Sequence, residues 1–207
     1  SLDSLLPVPR ESSNGLEARY GFRLDPPPLL VTFHPVTLEF EDTEWHVGEL
    51  LGALDEWGSS ILFTMPNADT NGRLIARKIE EFVGTHASSW LVDNLGIPDY
   101  FSVMARSVAM VGNSSSGMVE AAPLGVPVVN VGTRQEGRVR TVNIVDVGYS
   151  RSEILGGIAK AVSDEFRAAA SGVTSPYGDG HAAERIVDVL KSVELGVVID
   201  MIIRSVG

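Results

Sequence analysis

One stretch combines hydroxyl, amide and carboxylate side chains at helix-turn spacing: Asn113-Ser114-Ser115-Ser116-Gly117, with Glu120 one turn later. The first turn of a helix presents N–H groups without helical partners and the positive end of the macrodipole. Serine hydroxyls there can cap the helix or hydrogen-bond a phosphate. Glu120 can accept from sugar hydroxyls, which donate hydrogen bonds that phosphates cannot. Taken alone, the pattern reads equally as an N-cap followed by a first-turn acid. His34, between an apolar run and Pro35, can donate to a phosphate or sugar oxygen or serve in acid–base work. A histidine packed at a strand end reads the same way. Asn67-Ala68-Asp69 is a turn and helix cap or a set of sugar contacts. Arg134 and Arg138 flank Gln135 and Gly137, and guanidinium groups bind phosphate bidentately, although two arginines in a loop are also simply solvated. Tyr100 can stack on a base or belong to the core.

These residues need a scaffold, and hydropathy supplies one. Apolar runs at 29–33, 60–65, 89–92, 107–111, 126–131 and 141–147 read as strands, the first a continuous run suited to a parallel sheet buried on both faces. Between them, 43–57 is a helix with Trp45, Leu50, Leu51, Leu54 and Trp57 near one side, and 71–83 is a helix with Leu74, Ile75, Ile79 and Phe82 inward. A short helix at 98–106 follows, with Pro98 in its first turn. Gly125 is placed to stop the helix that starts at the serines. One long helix over 152–170, capped by Ser150 or Ser152, is followed by a Gly/Ser/Pro loop at 171–180, a helix over 181–193 and an apolar terminal helix over 195–206. The alternation predicts an α/β Rossmann-like open parallel sheet with right-handed crossovers and helices on both faces. Residues 1–28, punctuated by Pro7, Pro9 and Pro26-Pro27-Pro28, read as a lead-in or linker with a helical turn at Leu16 to Tyr20; 29–194 is the domain and 195–207 a terminal crossover helix. In such sheets ligands bind outside the carboxyl ends of the strands, where His34, Asn67, Asp69, the serines and the two arginines all fall.

Composition narrows the chemistry. The 207 residues carry a formal net charge of −11, which argues against nucleic acid as a partner. There is no cysteine, hence no thiolate chemistry and no disulfide. His46, His86 and His181 read as surface residues, and the histidines show no metal-ligand spacing. No Gly-rich dinucleotide turn, no P-loop and no G-x-S-x-G context is present, so neither a nicotinamide cofactor nor a P-loop nucleotide nor a hydrolase serine is indicated. No cofactor is expected. No apolar run approaches spanning length and no signal peptide opens the chain, so the expected location is cytoplasmic.

Three segments together resemble the UDP-N-acetylglucosamine 2-epimerase family, in its hydrolysing, sialic-acid-pathway branch: Phe33-His34-Pro35-Val36-Thr37, Pro66-Asn67-Ala68-Asp69, and Gly112 to Glu120 with Gly132-Thr133-Arg134-Gln135-Glu136-Gly137-Arg138. The Arg-Gln-x-Gly-Arg loop is what favours that branch. The resemblance implies a GT-B-like parent with two Rossmann-like halves, this chain being the carboxy-terminal, UDP-gripping half. It implies that Ser114 and Ser115 hold the diphosphate, that Glu120 binds the ribose, that Tyr100 faces the uracil, and that His34 and Arg134 act catalytically beside the diphosphate and sugar. Asn67, Asp69, Gln135 and Arg138 complete the substrate contacts. The chemistry implied is anti elimination of UDP to a 2-acetamidoglucal followed by addition of water. The amino-terminal half is absent, so no turnover is expected from this chain alone. Related readings are a hydrolysing 2-epimerase for a 6-deoxy-diacetamido UDP-sugar and a stand-alone UDP-sugar-binding module. The apolar 195–203 run is expected to mediate self-association if it does not pack on its own sheet.

Overall fold

The computed structural model describes residues 2–4, 11–69 and 71–193. Six four-residue strands form one sheet: β1 (Leu29–Thr32), β2 (Ile61–Thr64), β3 (Ser89–Val92), β4 (Ala109–Gly112), β5 (Val128–Val131) and β6 (Ile144–Val147). Their order is β3-β2-β1-β4-β5-β6 and every pairing is parallel. The helices are α1 (Ser13–Tyr20), α2 (Thr43–Trp57), α3 (Gly72–Thr85), α4 (Gly96–Met104), α5 (Ser115–Val119), α6 (Arg151–Ala161), α7 (Asp164–Ala170) and α8 (Ala182–Ser192).

Strand geometry sends alternate side chains to opposite faces, and both faces are apolar. Leu29, Val31, Ile61, Phe63, Val111 and Val129 face one layer, where Val47, Leu50 and Leu54 of α2, Ile75 and Ile79 of α3 and Ile154 and Ile158 of α6 cover them. Leu30, Leu62, Met110 and Val128 face the other, under Leu16 of α1, Phe22, Leu24 and Val103 and Met104 of α4. Burial of each such side chain stabilises the fold by roughly 1.5–3 kcal/mol before entropy is counted. Among the described residues no helix is long and apolar enough to cross a membrane.

The fold departs from the sequence reading in five places. The helical turn expected at Leu16 to Tyr20 is longer, running as α1 from Ser13 with Ser12 as its cap, and Leu16, Phe22 and Leu24 are buried in the second core. Trp45 is 54 % exposed, because the buried stripe of α2 runs through Val47, Leu50, Ala53 and Leu54, one step round the helix. His46 is buried, its ring stacked on Tyr149 with centroids 3.5 Å apart. The long helix over 152–170 is two helices. Ser163 is extended and its Oγ accepts from Phe166 N at 3.3 Å, so a serine inside an apolar period wins locally as a cap. The sixth strand starts only at Ile144, after a turn in which Asn143 Nδ2 donates to Val126 O at 2.9 Å. The apolar 195–206 run lies outside the described residues.

The sheet reverses its winding between β1 and β4, and the loops leaving these two strands diverge to opposite faces. A crevice opens at that point above the strand ends.

Candidate functional site in the strand-end crevice

Asn113 holds the crevice together. It follows Gly112, whose φ of +130° and close approach to Thr32 exclude a side chain: a Cβ there would lie 2.0 Å from Thr32 O. Asn113 is fully buried. Its Oδ1 accepts from His34 N at 2.7 Å and its Nδ2 donates to His34 O at 2.8 Å, so its amide extends the β1–β4 ladder by one rung. Its carbonyl accepts from Gln135 Nε2 at 2.7 Å and Arg134 Nη1 at 3.1 Å. One residue thus ties the ends of β1 and β4 to the loop after β5.

His34 is held in one tautomer. Asn67 N donates to His34 Nδ1 at 3.0 Å. A backbone amide can only donate, so the neutral ring carries its proton on Nε2. Burial, then the neighbouring Arg134 charge, lowers its pKa to about 4, against a smaller opposing effect of Asp69. At neutral pH His34 is therefore an uncharged N–H donor. Asn67 Nδ2 donates to Asp69 Oδ2 at 2.9 Å, and Asp69 shares a cavity wall with Arg134.

The serines divide their labour. Ser114 is the N-cap of α5, its Oγ accepting from Ser116 N at 3.4 Å. Ser115 opens the helix and is half-buried. A five-residue helix has little macrodipole, so its end offers N–H groups and hydroxyls rather than a strong field. Beside it lies a cleft of about 360 Å³ lined by Tyr100, Ser116, Glu120, Thr64 and the loop at Asn94 and Leu95. Burial raises the Tyr100 hydroxyl, while Ser116, Thr32 and Ser114 lower it by hydrogen bonding. Burial also raises the Glu120 carboxyl, against a hydrogen bond with Ser116. A second cavity of about 390 Å³, lined by Pro35, Val36, Glu39, Asp69, Thr133 and Arg134, lies on the β5 side.

The crevice gathers His34, Asn67, Asp69, Ser114, Ser115 and Arg134 along the strand ends, with Tyr100 and Glu120 in the adjoining cleft. Gln135 does not join them: it is 2 % exposed and its amide nitrogen is spent on Asn113 O. The substrate contact expected of Gln135 has no support here, because the turn folds the side chain inward. Arg138 is exposed at the far end of the same loop. Sequence reasoning missed the Asp93-Asn94-Leu95-Gly96 wall, although a polar turn after the third strand was signal enough. It also missed Glu39, which accepts from Thr133 Oγ1 at 2.5 Å and Tyr149 OH at 2.6 Å and so joins the loops after β1 and β5. Nothing local marks that glutamate, since its partners are 94 and 110 residues away.

The arrangement can take an elongated ligand with a polyanionic middle and a flat end with hydroxyls. Known proteins resemble the chain in sequence and in fold. The family model described as UDP-N-acetylglucosamine 2-epimerase matches residues 2–191. A UDP-N,N'-diacetylbacillosamine 2-epimerase (hydrolyzing) of Legionella pneumophila is 32 % identical over 194 residues, covering 94 % of this chain and 50 % of that protein. A GDP/UDP-N,N'-diacetylbacillosamine 2-epimerase (hydrolyzing) of Campylobacter jejuni is 41 % identical over 133 residues, covering 63 % and 35 %. The crystal structure of UDP-GlcNAc 2-epimerase from Neisseria meningitidis bound to UDP-GlcNAc has the same fold, with a TM-score of 0.70 at 18 % identity over 87 % of this chain and 49 % of that one. The chain thus spans about half or less of the relatives it matches.

Proposed function

The chain belongs to the UDP-N-acetylglucosamine 2-epimerase family, and from that premise we propose that it is the UDP-gripping half of a hydrolysing 2-epimerase acting on a UDP-2-acetamido sugar. The observation that carries the reading is the crevice at the winding reversal, where the His34 donor, the serine turn and Arg134 adjoin the Tyr100–Glu120 cleft. In this reading the uracil lies against Tyr100 and the loop at Asn94 and Leu95. Glu120 accepts from the ribose hydroxyls. The diphosphate meets Ser115, the first N–H groups of α5 and Arg134.

The reaction removes the proton from C2, breaks the C1–O bond to release UDP, and adds water to the resulting 2-acetamidoglucal. Negative charge grows on the departing diphosphate. Donors already aimed at it stabilise that charge without reorganising. Arg134 serves here, held by its bond to the Asn113 carbonyl, and His34 serves as a neutral Nε2–H donor. His34 is not the base that takes the C2 proton, because its Nδ1 is occupied and its Nε2 is protonated. That base and the second wall of the cleft belong to the half of the relatives that this chain does not span.

Two readings of the sugar remain in play, N-acetylglucosamine and a diacetamido 6-deoxy sugar. The second is favoured by the names of the Legionella and Campylobacter relatives. A substrate panel on a protein carrying both halves separates them. Calorimetric titration of UDP tests the reading on this chain. A charge-assisted acceptor lost from the ribose costs about 1.5–3 kcal/mol, so Glu120→Gln should bind UDP at least tenfold more weakly, to order of magnitude. If Glu120 merely sits near the diphosphate as a like charge, the variant binds equally or better, and the ribose assignment is lost.

A further inference from the structure

We propose that Arg140 and Asp146 are positioning residues: they form a clasp, standing on the sheet, that sets the height and angle of the Arg134–Arg138 loop for the diphosphate. The inference deepens the proposed function and rests on it.

Neither residue lines the crevice, yet both are built into the loop. Arg140 Nη1 donates to Gln135 O at 2.7 Å and to Arg138 O at 2.8 Å. Its Nε donates to both carboxylate oxygens of Asp146, at 3.0 and 3.2 Å. A planar guanidinium with fixed donor directions can tie a strand carboxylate to two loop carbonyls; an ammonium cannot reproduce that geometry. Asp146 is itself held from the sheet. It sits on β6 in register with Asn130 of β5, whose Nδ2 donates to Asp146 Oδ1 at 2.6 Å. Asn130 is 1 % exposed, so the base of the clasp is part of the core.

The loop has few other fixings. Its own turn contributes Glu136 N to Thr133 O at 2.8 Å and a long contact from Arg138 N to Gln135 O at 3.3 Å, with Gly137 at a φ of +77°. Gln135 and Arg134 reach down to Asn113 at the near end. The far end is held by Arg140 and, at its outer side, by Tyr177 OH, which donates to Val139 O at 3.2 Å. An isolated surface ion pair contributes little, but here the pair transmits the position of a strand to the backbone that carries Arg134 and Arg138. A shift of about an ångström in such a group is enough to cost a large factor in ligand stabilisation.

Charge and geometry predict opposite signs, and two variants use that. Arg140→Lys keeps the cation and loses the fork. Asp146→Asn makes the neighbourhood more positive, so through-space attraction for an anion would rise. The clasp predicts that both weaken UDP, by about tenfold. It predicts that uridine, which has no phosphate, is affected by less than about twofold, since the base cleft lies on the other side of β4. The measurement is an NMR titration of UDP and of uridine into wild type and both variants, with thermal midpoints recorded. A UDP-selective loss in both variants supports the clasp. Unchanged or tighter UDP binding by Asp146→Asn, or an equal loss for uridine, overturns it while leaving the proposed function standing. Wild type that binds UDP no better than uridine removes the diphosphate reading itself, and the clasp with it.

Discussion

His34 has an assigned proton and therefore a testable one. In the unfolded chain a histidine takes up a proton as the pH falls through about 6.5. In the fold that uptake is delayed to about 4 by burial first and Arg134 second. The unfolded state thus binds more protons between these values, so the contribution to stability is present above pH 6.5 and is lost as the pH falls toward 4. Between pH 7 and pH 5 that amounts to about 2 kcal/mol for the isolated site. Urea unfolding should show wild type losing more stability over this interval than His34→Gln, and the His34 ring carbons should report a neutral Nε2–H tautomer at pH 6. A ring that titrates near 6.5 would sink the donor assignment. At this scale the sequence was informative wherever a polar residue directly followed a strand, because the chain direction then fixes where the side chain emerges. The places of His34, Asn67 and Ser114, just beyond the ends of β1, β2 and β4, were legible that way. The burial of Gln135 is not legible in the sequence for the converse reason: inside a loop nothing periodic says which side faces the protein. Arg140 and Asp146 lay hidden because their importance is a distance, and residue type does not carry distances.

The strand-end turns are what the elements contribute, and Gly112 shows how little freedom they leave. β4 must end where its backbone touches Thr32 of β1, so that Asn113 can take over the ladder with its side chain. Gly112→Ala adds a methyl group against Thr32 O and asks an L-residue to hold a φ of +130°. The expected cost is roughly 3 kcal/mol or more, from strain and from displacement of the Asn113 network. Chemical denaturation checks it, and an alanine variant within about 0.5 kcal/mol of wild type would show that the turn relaxes freely. The alternation of buried strands and amphipathic helices was legible because both periods are enforced by the same two-faced sheet. Helix ends were less so. The break at Ser163 depends on one hydroxyl competing with a backbone carbonyl, a local contest that an apolar period does not reveal. In the lead-in the helical turn at Leu16 to Tyr20 was legible, whereas the buried set of Leu16, Phe22 and Leu24 was not, because prolines interrupt the pattern around it.

At the scale of the molecule, the described residues give the crevice one wall. His34, the serine turn, Arg134 and the Tyr100–Glu120 cleft all stand on the carboxyl rim of a single sheet, and Asp69 and Arg138 on that rim are open to solvent. Donors facing bulk water act at high dielectric, where a unit charge at 4 Å is worth about 1 kcal/mol rather than the several available in a closed site. Elimination of a diphosphate asks for the closed value, because the departing charge is stabilised only by groups that water cannot screen. Two of the carboxylates beside the crevice are also engaged: Asp69 accepts from Asn67, and Glu39 accepts from Thr133 and Tyr149. Neither is poised to take a proton from a sugar carbon. The 207 residues alone should therefore bind UDP and not turn over UDP-N-acetylglucosamine or a diacetamido UDP-sugar, whereas a protein spanning the full length of the relatives should release UDP. A coupled assay for UDP release on both proteins, at matched occupancy measured by calorimetry, makes the comparison. Sustained release by this chain at a rate within tenfold, to order of magnitude, of the longer protein would mean that the single-walled crevice supplies about all but 1.4 kcal/mol of the barrier reduction, and the division of labour between two halves would have to be abandoned.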